Sequence, residues 1–347
     1  MNPRIFLVTG SLILSVLIGL TLSRGNRPGA ATGPGPAGKV RIGLSLDTLK
    51  EERWQRDRDR FVAEATQLGA EVLVQSANSD DAAQMRDVES LISSGVQVMV
   101  IVPHNGEAMA KAVRASKAAG IPVIAYDRLI RDSDVDLYLS FDNVRVGQLQ
   151  AQYLADQLRG RKAKLVRIYG SKTDNNAVLF KAGQDLVLEP LIARGEIEVV
   201  FEDWAADWKP ENAKKIANAA ITAKGRDIDA ILASNDGTAG GAIQALTEEG
   251  LAGRILITGQ DAELAAVQRV GRGTQAMTIY KPVSRLAARA AATAVALAKR
   301  EVIIANGSVN NGFKDVPALL EEVVVVTRSN ILDTVVKDGF HKAEDLQ

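Results

Sequence analysis

From Val40 onward, short β-rich runs alternate with amphipathic helical patterns almost to the end of the chain. The runs fall at Val40–Leu46, Glu71–Gln75, Val96–Val102, Pro122–Tyr126, Leu137–Phe141, Lys164–Tyr169, Glu196–Phe201, Ala230–Ala233, Ile255–Thr258, Ala276–Tyr280 and Val323–Val326. Helical patterns lie between most of them, near 82–93, 106–119, 147–158, 176–193, 210–223, 239–249, 262–270 and 284–300. In the first helix, Trp54, Phe61, Ala65 and Leu68 share one face. The segment Ala118-Ala119-Gly120-Ile121-Pro122 ends a helix with a C-terminal glycine and a stopping proline. Alternating strands and helices with short connections make parallel sheets covered by helices, an α/β fold. More than ten strands overfill one sheet, so two similar lobes are expected from 347 residues.

In such sheets ligands sit beyond the C-terminal ends of the strands. The residues there are Asp47 and the segment to Trp54, Pro103-His104-Asn105, Asp127-Arg128, Asp142-Asn143, Asp174-Asn175-Asn176, Trp204 and Trp208, Ser234-Asn235-Asp236, Gln260-Asp261, and Lys281. This set combines planar polar groups with all three tryptophans. Carboxylates accept, Arg and Lys donate, and Asn does both, so together they satisfy hydroxyls that donate and accept. Hydrogen bonds to charged groups contribute about 1.5–3 kcal/mol each, and indole faces suit the apolar C–H faces of a sugar ring. The composition fits a small polyol better than an apolar ligand or a phosphate.

The chain resembles the periplasmic D-xylose-binding proteins, within the larger group that includes the ribose- and galactose-binding proteins. The resemblance runs from about Val40 to the C-terminus. It rests on Glu52-Arg53-Trp54-Gln55 with Asp57-Arg58, Val74-Gln75-Ser76-Ala77-Asn78, Ala125-Tyr126-Asp127-Arg128, Ser140-Phe141-Asp142-Asn143, Asp174-Asn175-Asn176-Ala177, Ser234-Asn235-Asp236, Thr238 to Leu246, Gly259-Gln260-Asp261, Tyr280-Lys281-Pro282, and Asn310-Asn311-Gly312 with Lys314 to Pro317. It implies two Rossmann-like lobes of the type I periplasmic binding fold, joined by a three-segment hinge near Asp142, Pro282 and Leu319. The N-terminal lobe would comprise residues 39–141 plus 282–318, and the C-terminal lobe 142–281 plus 319–347.

The resemblance further implies a monosaccharide, D-xylose, in the cleft, with Trp54 and Trp208 on opposite ring faces. Arg53, Asp127 and Arg128 would bind from the first lobe, and Asn175 or Asn176, Asn235, Asp261 and Lys281 from the second lobe or the hinge. It implies a single-chain protein delivering sugar to an ABC-type membrane permease, with no cofactor, metal or catalytic residue. Three departures stand near the expected mouth: Lys50 in place of Arg, Thr48 in place of Asp and His104 in place of Tyr. They leave the sugar class intact and bear on pentose selectivity.

Other roles compete at several positions. Trp54 also belongs to the apolar face of its helix, Trp204 reads as packing, and Asn235 and Asp261 stand where helix caps stand. Asp127-Arg128 also reads as a surface ion pair. Gly33 to Gly38 matches a dinucleotide fingerprint as text, but it precedes the first strand; Gly271 to Ala276 follows a helix. Asp132, Asp134 and Asp136 lack the glycine and distal glutamate of a calcium loop. With no cysteine and only His104 and His341, a zinc hydrolase or a Ser-His triad is disfavoured. Lys+Arg and Asp+Glu are both 42, so the basic surplus of a nucleic-acid binder is missing.

At the N-terminus, Arg4 precedes an apolar stretch from Ile5 to Leu22, which reads as a signal peptide or an uncleaved anchor. Residues 23–38 are a Gly/Pro/Ala linker. Both readings of the stretch put the folded part outside the cytoplasm, in the periplasm. A sugar-responsive repressor would carry a helix-turn-helix there instead. A sugar-modifying enzyme would need a base, with Asp127 and Asp261 the candidates, and a membrane-tethered sensor would keep residues 1–22.

Overall fold

The computed structural model describes residues 38–346, and the part from Val40 onward forms one compact unit. The N-terminal apolar stretch and the linker up to residue 37 lie outside the described residues. Among the described residues, no helix is long and apolar enough to cross a membrane.

The first half builds strands β1 (Arg41–Leu46), β2 (Glu71–Ser76), β3 (Val98–Ile101), β4 (Val123–Tyr126) and β5 (Leu137–Phe141). Helices α1 (Glu52–Gln67), α2 (Asp81–Ser93) and α3 (Ala110–Ala118) connect the first four. The second half follows with α4 (Asn143–Gln157), β6 (Ala163–Tyr169), α5 (Asn175–Ala193), β7 (Ile197–Trp204), α6 (Pro210–Lys224), β8 (Ala230–Ala233), α7 (Asp236–Glu248), β9 (Leu256–Ile257), α8 (Leu264–Arg272) and β10 (Thr278–Tyr280). Helix α9 (Val283–Ala298) and strands β11 (Gly307–Asn310), β12 (Asp315–Glu321) and β13 (Val324–Val326) complete the chain.

One seven-stranded sheet runs β11-β12-β5-β4-β3-β1-β2, and a four-stranded sheet runs β7-β6-β8-β9. Every pairing in them is parallel except the β11–β12 hairpin; β10 and β13 form a separate antiparallel pair. Parallel sheets need both faces covered. Helices α1 and α9 bury Phe61, Leu286 and Ala290 with Leu44 and Ile124 on one face of the large sheet. Val88 and Val113, from α2 and α3, meet Met99 and Ile101 on the other. The small sheet is covered likewise, by α6 and α7 on one face and α4 and α5 on the other.

Two of its helix pairs cross very closely. A Cβ on Gly147 of α4 would stand 2.0 Å from the Phe180 carbonyl oxygen, and one on Gly183 of α5 would stand 2.0 Å from that of Val144. Glycine at these facing positions lets the two backbones touch. In α7, Gly241 plays the same part against Pro210 of α6.

The chain passes from the large sheet to the second half at Asp142 and returns at Lys281-Pro282, where the sequence reading puts two crossings. The third passage lies at 322–323. Leu319, expected near it, sits inside β12 opposite Leu139, because β12 keeps pairing with β5 as far as Glu321. The C-terminal tail, expected with the second lobe, adds Ile331, Val335 and Phe340 to a hydrophobic cluster that holds Val267, Val270 and Tyr280 of that half together with Phe61 and Leu286 beside the large sheet. It also ties back through the His341 Nε2–H, which donates to the Ala262 carbonyl at 2.7 Å.

Candidate functional site

The C-terminal strand ends of both sheets converge on one cavity. It is lined by Glu51, Arg53, Trp54, Asp127, Arg128, Asp174, Asn176, Phe180, Trp208, Asn235, Gln260, Asp261 and Lys281. Nine of the ten sequence-expected residues line it. Asn175 does not: it faces a separate groove with Asn105, Gly106 and Arg131. Asn175 and Asn176 open α5 side by side, and a helix turns about 100° per residue, so only one of them points inward.

Local structure explains each placement. Arg53 and Trp54 occupy the first turn of α1, just after β1. Asp127 and Arg128 follow β4, with Asp127 held at φ 60 in the left-handed region. Tyr138 and Ser140 donate to its carbonyl at 3.0 and 2.6 Å and hold that turn. Asp174 caps α5 by accepting from the Asn176 amide at 2.9 Å. Asn235 caps α7 in a reciprocal capping box with Thr238, so the helix-cap role applies to it. Asp261 does not cap α8. At φ 95 it turns its carboxylate inward, and Lys281 Nζ lies 2.9 Å away. Such left-handed non-glycine positions are strained and cluster at functional sites.

The polar lining is a buried ionic network. Arg53 reaches Asp127 at 2.6 Å, Asp57 at 3.4 Å and Asp261 at 3.4 Å. Arg128 pairs with Asp47 at 2.6 Å and with Asp174 at 2.9 Å. Asn176 donates to the Asp127 carboxylate at 3.1 Å. Burial alone would strip these charges, yet the clustered carboxylates Asp127, Asp57 and Asp261 push the Arg53 guanidinium well above its ordinary pKa. Burial likewise works to raise Asp127, but Arg53 and Lys281 outweigh it and hold the carboxyl below its usual range. Asp57, hydrogen-bonded by the Tyr126 hydroxyl, is pushed by burial up to about 6 despite Arg53 beside it.

The aromatic walls have distinct supports. Trp54 is 3 % exposed and belongs to the core, so its packing and cavity-lining roles coexist. The Arg53 and Arg128 guanidinium carbons lie 4.1 and 5.2 Å from its ring centroid. Trp208 sits in a short turn at φ 58, donates through Nε1 to Asp174 at 3.1 Å, and meets Phe180 edge-on at 6.2 Å. Trp204 lies outside the cavity and packs on Tyr169 at 4.8 Å, as its reading as a packing residue expects. The sequence reading passed over Glu51, Asp174, Phe180 and Gln260. Three of them stood in the strand-end segments; Phe180 could have been found one helical turn beyond Asn176.

At the mouth, Lys50 Nζ donates to the Asp207 carbonyl at 2.9 Å. His104 lies between Asp81, at 2.8 Å, and Asp207, at 3.5 Å. Two lining acceptors have no hydrogen-bond partner in the protein: Glu51 Oε2 and Gln260 Oε1. Among the described residues no cluster of His, Cys, Asp and Glu has the arrangement of a metal site.

Residues 42–301 match the family model described as "Periplasmic binding protein domain". The D-xylose-binding periplasmic protein of Escherichia coli is 50% identical over 310 residues, covering 89% of this chain and 93% of that one. The Haemophilus influenzae protein of the same description is also 50% identical, over 88% of this chain and 92% of its own. A carbohydrate transporter solute-binding protein from Chloroflexus aurantiacus, solved with D-glucose, superposes with a TM-score of 0.84 at 37% identity, covering 89% of this chain and 98% of that one.

Proposed function

The chain belongs to the periplasmic binding protein domain family, and from that membership we propose that it captures one monosaccharide, D-xylose, by hinge closure and delivers it unchanged to an ABC-type sugar permease. The observation that carries this reading is the meeting of nine strand-end residues from both halves of the fold around one polar, tryptophan-walled cavity. The 50% identity to two D-xylose-binding periplasmic proteins supports the choice of sugar. Their location supports a periplasmic site of action, and the protein acts as a single chain.

The closing bodies are residues 39–141 with 282–321, and 142–281 with the segment from 322. The contacts that join them across the cavity are Arg128–Asp174, Asn176–Asp127 and Arg53–Asp261. A sugar lying among these groups bonds to both bodies at once only in the closed form. Moving a population from 1:99 to 99:1 closed takes about 5.5 kcal/mol of differential affinity. Two or three charge-assisted hydrogen bonds at about 1.5–3 kcal/mol each, with indole stacking, reach that sum. Capture fits these residues better than chemistry, because the carboxylate of Asp127 is ion-paired and held low, which makes it a poor proton acceptor.

Calorimetric titration of the purified protein with D-xylose, ribose, arabinose and glucose tests the reading. One saturable site with a preference for xylose is the expected result. Failure of folded protein to bind any of the four would remove the sugar assignment.

A further inference from the structure

Glu51 is the residue before the first turn of α1, the position from which a carboxylate ordinarily swings back to cap the free amides of the helix. It makes no such bond. Its side chain is 9 % exposed and lines the cavity instead. One oxygen, Oε1, is 2.9 Å from Lys50 Nζ, which itself reaches outward to Asp207 at the mouth. The other, Oε2, is buried and bonded to nothing in the protein. Burying a carboxylate oxygen without a donor is costly, so such an atom calls for a partner. Lys50 already balances the charge. What Oε2 lacks is a hydrogen bond, and a neutral hydroxyl supplies one without bringing a second cation into the cavity.

We propose that Glu51 is a specificity-determining contact whose Oε2 accepts the proton of one hydroxyl of the bound sugar. The inference rests on the sugar-capture reading and adds to it a direct acidic contact at the mouth end of the cavity, next to Lys50, one of the departures from the family pattern. The neighbouring lining acids Asp127, Asp174 and Asp261 are each ion-paired to Arg53, Arg128 or Lys281. Among these lining carboxylates, Glu51 is the one with a buried oxygen that has no hydrogen-bond partner.

The test is a ligand-variant cycle by calorimetry on the purified protein, with D-xylose and its monodeoxy analogues against the unsubstituted protein, E51L and the near-isosteric E51Q. Unchanged thermal unfolding shows that the variants fold. E51L is expected to bind D-xylose at least tenfold more weakly and E51Q to lose less. For one deoxy analogue, the one lacking the hydroxyl that Glu51 accepts from, the unsubstituted protein and E51L are expected to bind alike. Binding of D-xylose by E51L within twofold, or a penalty equal for every analogue, would overturn the proposal. A merely structural role predicts the equal penalty. Absence of binding by the unsubstituted protein would instead remove the sugar-capture reading, and this contact with it.

Discussion

Gly170, the residue after β6, lies against the ring of Trp208. A Cβ placed on it would stand 2.0 Å from Cη2, 2.2 Å from Cζ2 and 2.4 Å from Cζ3 of that indole. Carbon atoms settle at about 3.5–4.0 Å, so Gly170→Ala drives the far edge of the ring back by about 1.5 Å. The ring has little room to yield. Its backbone is already left-handed, its Nε1 is anchored on Asp174 at 3.1 Å, and Phe180 stands on its flank. Overpacking of this kind costs about 1–3 kcal/mol. The retreat also breaks the indole–Asp174 bond and removes one cavity wall. D-xylose affinity is therefore expected to fall at least tenfold, equivalent to about 1.4 kcal/mol, with a lower unfolding temperature and a changed tryptophan emission.

Calorimetry and thermal unfolding measure both effects. Gly271→Ala is the control, since a Cβ there meets nothing within 4 Å. In a Trp208→Ala background, Gly170→Ala should cost little, because the atoms it strikes are gone. Unchanged affinity and stability in Gly170→Ala, or the same loss with Trp208 absent, would refute the reasoning.

Two further outcomes follow from the buried charges. Arg53→Met leaves Asp57, Asp127 and Asp261 without their shared cation. It is expected to destabilise the fold by about 3–5 kcal/mol in urea unfolding, and a loss under about 1 kcal/mol would mean the network is solvent-screened. Burial, with Asp236 and Asp261 nearby, pushes the half-buried Glu263 from 4.5 up to about 8. Between those values the folded state holds a proton that the unfolded state releases, so stability falls as pH rises, by up to about 1.4 kcal/mol per pH unit. Glu263→Gln should flatten that slope across pH 4.5–8, and an unchanged slope would assign the effect elsewhere.

The convergence at the strand ends was legible because a parallel α/β sheet directs its ligand-facing residues to one edge. Asp127, Asn235 and Asp261 each follow a run of buried β-branched or small apolar residues that marks a strand. The β11–β12 hairpin was not legible. Gly307-Ser308-Val309-Asn310 is mostly exposed and short, and its antiparallel pairing depends on a turn at Asn311-Gly312 rather than on apolar periodicity. Glu51 escaped notice because an acid beside Lys50 reads as a solvated pair; only the packed fold shows one of its oxygens turned inward. Asn175 was over-read because two neighbouring asparagines look alike until the helix separates their directions.

The three passages of the chain between the sheets also bear on how the protein is made. A chain emerging N-terminus first presents β1 to β5 early, but β5 keeps an open edge until β12 arrives, and Leu319 then pairs with Leu139. The core under that sheet likewise waits for α9 and for the tail residues Val335 and Phe340. Contacts so distant in sequence form slowly. The earlier sheet is thus sealed last, after nearly the whole polypeptide has been synthesised. That delay leaves the open edge of β5 exposed for as long as the chain is incomplete, the kind of unpaired strand edge that invites misassembly.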